Sequence, residues 1–350
     1  MNFKKIIKNS EPYLIAEVGV NHENSISLAE KIVKQAKMGK ADAVKFQTYK
    51  ADKLASKKSP YYWDLKKVSE KSQYKLFKKY DKFNYSHYIK LKKICDFYKI
   101  DFLSTGFDKE SILFLNKLVK FFKIASADLT NLILIDQMIA LKKPILMSTG
   151  ACNIQEIKKI NNYIKRKSPK TDLAIMHCVL SYPTKLEDAN IQIISQLKKT
   201  FKSRIIGYSD HTMPDEGSII LYESFKAGAQ IIEKHFTLDK LKGKKNNDHF
   251  HSMDFQDFLK LRKSINIYRK IFGSLKKRKV LKCEIKSRKN ARRSIYSNGF
   301  LKKNTIIDKN NIIPKRPGNG ISPLLYKKII GKKVKRDLKD DHQISFKDLK

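Results

Sequence analysis

The chain has 350 residues, 41% of them hydrophobic, and carries 75 Lys and Arg against 34 Asp and Glu, a formal net charge of +41. That length holds one barrel of roughly 250 residues with a small second domain, and 19 Phe with 16 Tyr exclude a disordered polyelectrolyte. No run reaches the roughly 20 apolar residues of a membrane span, and MNFKKIIKNSEPYLIAEVG has no signal-peptide core, so a soluble, unexported, cytoplasmic protein is expected.

Lysine greatly exceeds arginine and is spread through almost every predicted helix, while isoleucine and asparagine are abundant. An A+T-rich coding sequence favours that bias, so the charge reads as a solvated lysine surface whose field also draws in anionic substrates. A basic nucleic-acid-binding protein on a retired barrel is the alternative from another class, but no nucleic-acid module is visible. Cys95, Cys152, Cys178 and Cys283 form no CxxC pair, which points to reduced thiols and neither a zinc site nor a disulfide framework.

In chain order, eight apolar runs read LIAEVG (14–19), AVKFQ (43–47), DFLST (101–105), FKIAS (122–126), ILMSTG (145–150), AIMHC (174–178), IIGYSDH (205–211) and IIEKHF (231–236). Continuous β-branched and apolar runs are the signature of buried parallel strands. Helical segments alternate with them. Ser27 opens 27–41 as a cap, with Leu28, Ile32, Val33 and Ala36 on one face, and Ile89, Leu91, Ile94 and Phe97 do the same in 86–100. Ile154, Ile157, Ile160 and Ile164 line 153–167, and 214–229 fits the last crossover.

The insertion 49–85 carries Tyr61, Tyr62, Trp63 and Tyr74 and is long enough to cover a barrel mouth. The pattern defines an α/β fold: a (β/α)8 TIM barrel over 1–273, a lysine-rich linker over 274–289 and a small β-rich domain over 290–350.

In such a barrel the C-terminal strand ends build the active site. Glu17, Lys45, Gln47, Thr105, Lys123, Ser126, Ser148, Ser209, His211 and His235 should therefore face one another. Lysines at the ends of buried strands are costly unless paired. With hydroxyls at Thr105, Ser126, Ser148 and Ser209, Lys45 and Lys123 suit a compact dianion bearing a carboxylate and a phosphate. Single hydroxyls at these positions also fit helix caps.

His211 and His235 end neighbouring strands beside Glu17, as a metal pair would. His177 reads as structural. Asp248 and His249 lie in a polar loop after the last strand, and Arg316 stands in KRPGNG, where glycines let a backbone approach closely.

AEVGVNHEN, DAVKFQTY, FLSTGFD, FKIASADLTN, PILMSTGA, HCVLSYPT, IIGYSDHT, IIEKHFTLD and KRPGNGIS follow one another from Pro12 to about Ser322. This string resembles the sialic acid synthase family, which includes N-acetylneuraminate, legionaminic and pseudaminic acid synthases. The tail from Asn290 resembles that family's SAF (antifreeze-like, β-clip) domain, which in the family covers the partner's barrel mouth in a domain-swapped homodimer.

The resemblance implies a phosphoenolpyruvate-dependent C–C bond-forming transferase acting on the open-chain aldehyde of an N-acetylated amino sugar such as N-acetylmannosamine. By motif, Lys45, Thr105, Lys123, Ser126, Ser148 and Ser209 would bind phosphoenolpyruvate. His211 and His235 would hold a divalent metal, Mn2+ or Mg2+. Gln47, Asp128, Tyr182 and Arg316 would meet the sugar, and Glu17 and Asp248 are the catalytic candidates.

Three positions depart from the family pattern. Gly106 stands where many relatives have proline, Asp128 where the N-acetylneuraminate enzymes have glutamate, and Leu180 where they have asparagine. Leucine cannot replace an amide's hydrogen bonds, so a 2,4-diacetamido-trideoxyhexose is the runner-up acceptor.

Overall fold

A computed structural model describes residues 3, 11–66, 68–240, 248–273 and 277–350. Of the N-terminal segment read for export, residues 1–2 and 4–10 lie outside this range, as do part of the loop after the last barrel strand and the start of the expected linker. The chain divides into two compact units, Met1–Phe272 and Gly273–Lys350.

The first unit is an eight-stranded parallel barrel. Its strands are β1 (Tyr13–Gly19), β2 (Ala43–Thr48), β3 (Asp101–Gly106), β4 (Phe122–Ile124), β5 (Ile145–Ser148), β6 (Leu173–Cys178), β7 (Ile205–Asp210) and β8 (Ile231–His235). Ladder order runs β3-β2-β1-β8-β7-β6-β5-β4, with β3 and β4 side by side at the closing seam. Every strand coincides with one of the apolar runs. None of the described helices is long and apolar enough to cross a membrane.

Strand alternation explains how an apolar sequence carries a polar rim. Ile15, Ala43, Leu103, Phe121, Leu146, Met176, Ile205 and Ile231 pack together, with Phe3, as an apolar plug inside the barrel. Side chains two residues further along a strand share its face. That step leads from Ile15 to Glu17, Ala43 to Lys45, Leu103 to Thr105, Phe121 to Lys123, Leu146 to Ser148, and Ile231 to Glu233. The plug keeps water from below, and the polar layer stands on it. Outward-facing residues such as Leu14, Val44, Phe102 and Ile232 form the larger core against the helices.

The helices follow the expected pattern with local corrections. The first crossover helix spans Ile26–Met38, and its cap is Ser25 rather than Ser27: the Ser25 hydroxyl accepts from Leu28 N–H. In Tyr85–Phe97 the buried face is Tyr88, Leu91 and Cys95, whereas Ile89 and Phe97 are exposed. Steps of three and four residues from Tyr88 trace one stripe, and the Ile89 series falls off it. Asn153 and Glu156 form a reciprocal capping box that starts Ile154–Lys167. The last crossover helix is shorter than expected, Ile219–Ala227.

The second unit has its own core of Ile295, Leu301, Ile307, Ile321, Ile329, Val334, Leu338, Ile344 and Leu349. β9 (Ser294–Ser297) pairs antiparallel with β10 (Ile312–Lys315), and single bridges join Leu301 to Leu338 and Ile306 to Lys333. Buried Asp348 ties this unit's end together, accepting from Arg336 at 2.8 Å, Ser345 N–H at 3.0 Å and His342 at 3.2 Å. The stretch expected as a linker contains a short helix, Ile285–Ala291, which buries none of its residues.

Candidate active site

A cavity of about 510 Å³ opens at the C-terminal ends of the strands. Glu17, Lys45, Gln47, Thr105, Lys123, Ser126, Asp128, Ser148, Tyr182, Ser209, His211, His235 and Asp248 all line it. Every site residue expected from the barrel is thus in one place. Arg316, exposed just after β10, belongs to the second unit. From the insertion after β2, Tyr62, Trp63, Phe77 and Tyr80 line the same cavity, whereas Tyr74 is half-buried outside it and donates its hydroxyl to Asp52.

Lys45 sits between two carboxylates, with Nζ 2.6 Å from Glu17 Oε2 and 3.6 Å from Glu233 Oε1, and it donates to Thr105 Oγ1 at 3.2 Å. Gln47 donates to Glu17 and Ser209 to Glu233. Glu233 went unnoticed in the sequence because the strand-end reading took only His235. The signal was the period of two, since Glu233 and His235 share the inward face of β8.

The two carboxylates are driven apart. Burial, reinforced by Glu233 and Asp248, outweighs Lys45 and lifts Glu17 to about 7. For Glu233 burial also pushes upward, but the ammoniums of Lys45 and Lys123 with the Ser209 hydroxyl hold it below the usual carboxylate range. One carboxyl that titrates near neutrality beside one that stays ionised is an acid/base division of labour. The same two partners raise the pKa of Lys45 against the effect of burial.

Lys123 differs. Its Nζ donates to Ser148 Oγ at 2.7 Å and to the Ile124 carbonyl at 3.0 Å, and among the described residues it forms no ion pair. Burial pulls its pKa down. A buried ammonium whose hydrogen bonds go only to neutral oxygens, with Glu233 and Glu17 acting on it without ion-pair contact, leaves positive charge for an anion to neutralise. Ser126 Oγ accepts Gly150 N–H at 2.9 Å, which fixes its hydroxyl at the same rim.

Asp248 reaches the cavity beside β1 and β8. Its Oδ2 lies 3.4 Å from Val20 N–H and 3.7 Å from His235 Nδ1. Gly19, at φ +52°, permits this approach, because a Cβ there would meet Asp248 Oδ2 at 2.5 Å. Burial raises Asp248 to about 6 against the pull of Val20 N–H, His211 and Lys45.

Three histidines gather next to it. Ring centroids of His211 and His235 are 5.5 Å apart, and those of His235 and His251 4.5 Å apart. His211 Nδ1 is 2.8 Å from the Val179 carbonyl, and Tyr182 packs on its ring at 4.2 Å. The donor atoms of His235, Asp248 and His251 all lie within 4.8 Å of one another. Among the described residues, His235 Nδ1 and both ring nitrogens of His251 are buried without a hydrogen-bond partner. Burial, then the neighbouring histidines, holds both imidazoles well below their usual pKa, and a neutral imidazole keeps a lone pair on one ring nitrogen. These residues fit a divalent cation: orphaned imidazole nitrogens and one carboxylate converge on one point.

His251 was not singled out in the sequence, where NDHFHS read as a polar loop. His249 instead turns to Thr237 Oγ1 at 2.7 Å and Glu23. His177, read as structural, bonds the Ala189 carbonyl and stacks on Tyr208.

Fold and site together define a (β/α)8-barrel protein with an anion-ready, metal-competent pocket at its strand ends. Residues 32–277 match the NeuB family, and the chain belongs to it; residues 292–350 match the SAF domain. The chain is 37% identical to the N,N'-diacetyllegionaminic acid synthase of Campylobacter jejuni, covering 95% of this chain and 98% of that one. It is 32% identical to the same organism's pseudaminic acid synthase, covering 93% of each. Among solved structures it is similar to the N-acetylneuraminic acid synthetase of Leptospira borgpetersenii, crystallised with citrate. The TM-score is 0.69 and the identity 30%, covering 80% of this chain and 91% of that one.

Proposed function

We propose that the chain is a nonulosonic acid synthase. It condenses phosphoenolpyruvate with the open-chain aldehyde of an N-acetylated amino sugar and releases inorganic phosphate by C–O cleavage. The observation that carries this reading is Lys123, a buried ammonium with no carboxylate in ion-pair contact among the described residues, facing the same cavity as Lys45 and four hydroxyls. That cradle matches an anion bearing phosphate and carboxylate.

For the acceptor we propose a 2,4-diacetamido-trideoxyhexose in preference to N-acetylmannosamine. Its support is Leu180 and the aromatic wall of Tyr62, Trp63 and Tyr182, which favour a deoxygenated sugar, together with similarity to synthases named for diacetylated products. Gln47, Asp128 and Tyr182 meet the sugar's polar groups.

His211 and His235 would hold a divalent metal, which when bound supplies Lewis-acid polarisation of the aldehyde oxygen. Lys45, Lys123, Thr105, Ser126, Ser148 and Ser209 hold phosphoenolpyruvate so that its C3 attacks the aldehyde carbon. Positive charge then develops at C2, and Glu233, held ionised, stabilises it. Glu17 takes a proton from the water that adds at C2. The C2–O(phosphate) bond breaks and the added oxygen becomes the ketone. Of the water's two protons, the one taken by Glu17 ends on the new hydroxyl and the other on the released phosphate.

Metal-loaded protein is expected to release phosphate from phosphoenolpyruvate with a panel of N-acylated aldoses, fastest with the diacetamido-trideoxyhexose. No release with any member would sink the activity, and a preference for N-acetylmannosamine would sink only the acceptor.

The domain-swapped homodimer implied by the family resemblance is part of this proposal, with Arg316 reaching the sugar's acylamino group in a partner's site. Mixing an Arg316→Ala chain with a Lys123→Ala chain should then restore turnover. Confirmed heterodimers without rescue would overturn the swap.

A further inference from the structure

The segment 248–253 is pinned to the end of β8. Met253 N–H donates to the His235 carbonyl at 2.8 Å, and Thr237 N–H returns to the Met253 carbonyl at 2.9 Å. Asn21 Nδ2 bonds both Ser252 Oγ and the Phe236 carbonyl at 3.0 Å. The Ser252 hydroxyl closes the turn onto the Asp248 carbonyl. These bonds leave the 249–251 turn little freedom, and it presents Asp248 and His251 to His235 from the same side.

His251 is fully buried, 0% exposed, and among the described residues neither ring nitrogen has a hydrogen-bond partner. Burying polar atoms unpaired costs free energy, and a cation that takes the lone pair of one ring nitrogen offsets part of that cost. Tyr182 and Phe250 contact its ring by their edges and supply no acceptor.

We propose that His251 is a protein ligand of the divalent ion, acting with His235 and Asp248. This rests on the reading that an ion occupies the site. Beside His211, it makes the donor set richer in imidazole than in oxygen. Imidazole suits zinc, cobalt and iron(II), whereas magnesium and manganese favour oxygen ligands. The chain is thus built to prefer the nitrogen-seeking ions.

The test is metal binding by the full-length protein, stripped with chelator and titrated with Zn2+, Co2+ or Mn2+ alone. Losing an outer-shell partner of a ligand already costs about 10–100-fold in affinity, so His251→Ala is expected to weaken Zn2+ binding by at least about 10-fold. The visible absorption of the Co2+ form should change as a nitrogen donor leaves, and Mn2+ affinity should fall less.

His251→Gln, which keeps polarity and bulk, should show the same loss and serves if the alanine variant does not fold; circular dichroism of the metal-free forms decides that. Wild-type Zn2+ affinity and an unchanged Co2+ spectrum in the folded variant, with His235→Ala losing the ion, would overturn His251 alone. If His235→Ala also binds normally, the whole metal reading falls with it.

Discussion

Glu17→Gln is expected to lower kcat by about 10²–10⁴-fold, the usual contribution of a positioned acid/base group, while the KM for phosphoenolpyruvate changes little. The phosphate and carboxylate cradle is built from Lys45, Lys123 and hydroxyls, none of which the substitution removes.

The pH profile separates this role from a structural one. Glu17 titrates near 7 because burial and two neighbouring carboxylates disfavour its charge. It must be ionised to take a proton from water, so kcat/KM should rise with pH through about 7 in the wild type. That limb should vanish in Glu17→Gln. A limb near pH 6 from the substrate phosphate, whose second pKa is about 6, should persist.

Stability does not confound the result. The folded-state pKa of Glu17 lies above its model value of 4.5. Between 4.5 and about 7 the folded state therefore binds the extra proton, and stability falls as pH rises through that window. The glutamine variant lacks this slope, and because Lys45 keeps Glu233 as a counter-charge at 3.6 Å it should stay folded at pH 8, which denaturant unfolding checks. Retention of the neutral limb, or an unchanged kcat, would remove Glu17 from the proton-transfer role.

Glu17 and Glu233 also illustrate how far the sequence reaches. Parallel strands buried on both faces announce themselves as unbroken apolar runs, so all eight strands and their polar ends were legible. Which polar residue near a strand end points inward depends on the pleat, and Glu233 lies two residues before the end, where a strand-end reading does not look. Counting back in steps of two from His235 would have found it. The exposed Ile89 and Phe97 record the complementary difficulty: apolar residues in a lysine-rich helix belong to more than one stripe, and only packing chooses between them.

Loops were less legible for a different reason. No period governs the segment after β8, and its conformation is set by hydrogen bonds to partners such as Asn21, 231 residues away from Ser252 in sequence. His249 and His251 look equivalent in NDHFHS, yet one turns to Thr237 and Glu23 and the other to the donor cluster. Arg316 is a third case. It lies in a separate compact unit, and no period in its local sequence assigns it to a site.

Lys234→Met is expected to destabilise the barrel by about 3–5 kcal/mol, the cost of stranding one partner of a buried ion pair. Lys234 is 0% and Asp210 1% exposed, with Nζ 2.5 Å from Asp210 Oδ2 and 2.6 Å from the Thr212 carbonyl. Asp210 also accepts from the Tyr208 hydroxyl and from Thr212 N–H and Oγ1. Burial pushes the Asp210 carboxyl upward, but Lys234 and these donors hold it below the ordinary range. Without Lys234 the carboxylate keeps its donors but not its counter-charge.

Trp63 is the only tryptophan and lies in the first unit, so denaturant unfolding followed by its fluorescence reports the barrel. Adding Asp210→Asn should recover part of the loss, because the stranded charge is then gone, and the difference measures the pair's coupling. The pair joins β7 to β8 directly before His211 and His235, so Lys234→Met should also weaken metal binding although it removes no ligand. A cost below about 1 kcal/mol, the scale of an exposed pair, would show that the interior tolerates the lone carboxylate. The placement of both histidines would then have to come from their own contacts rather than from the charge pair beneath them.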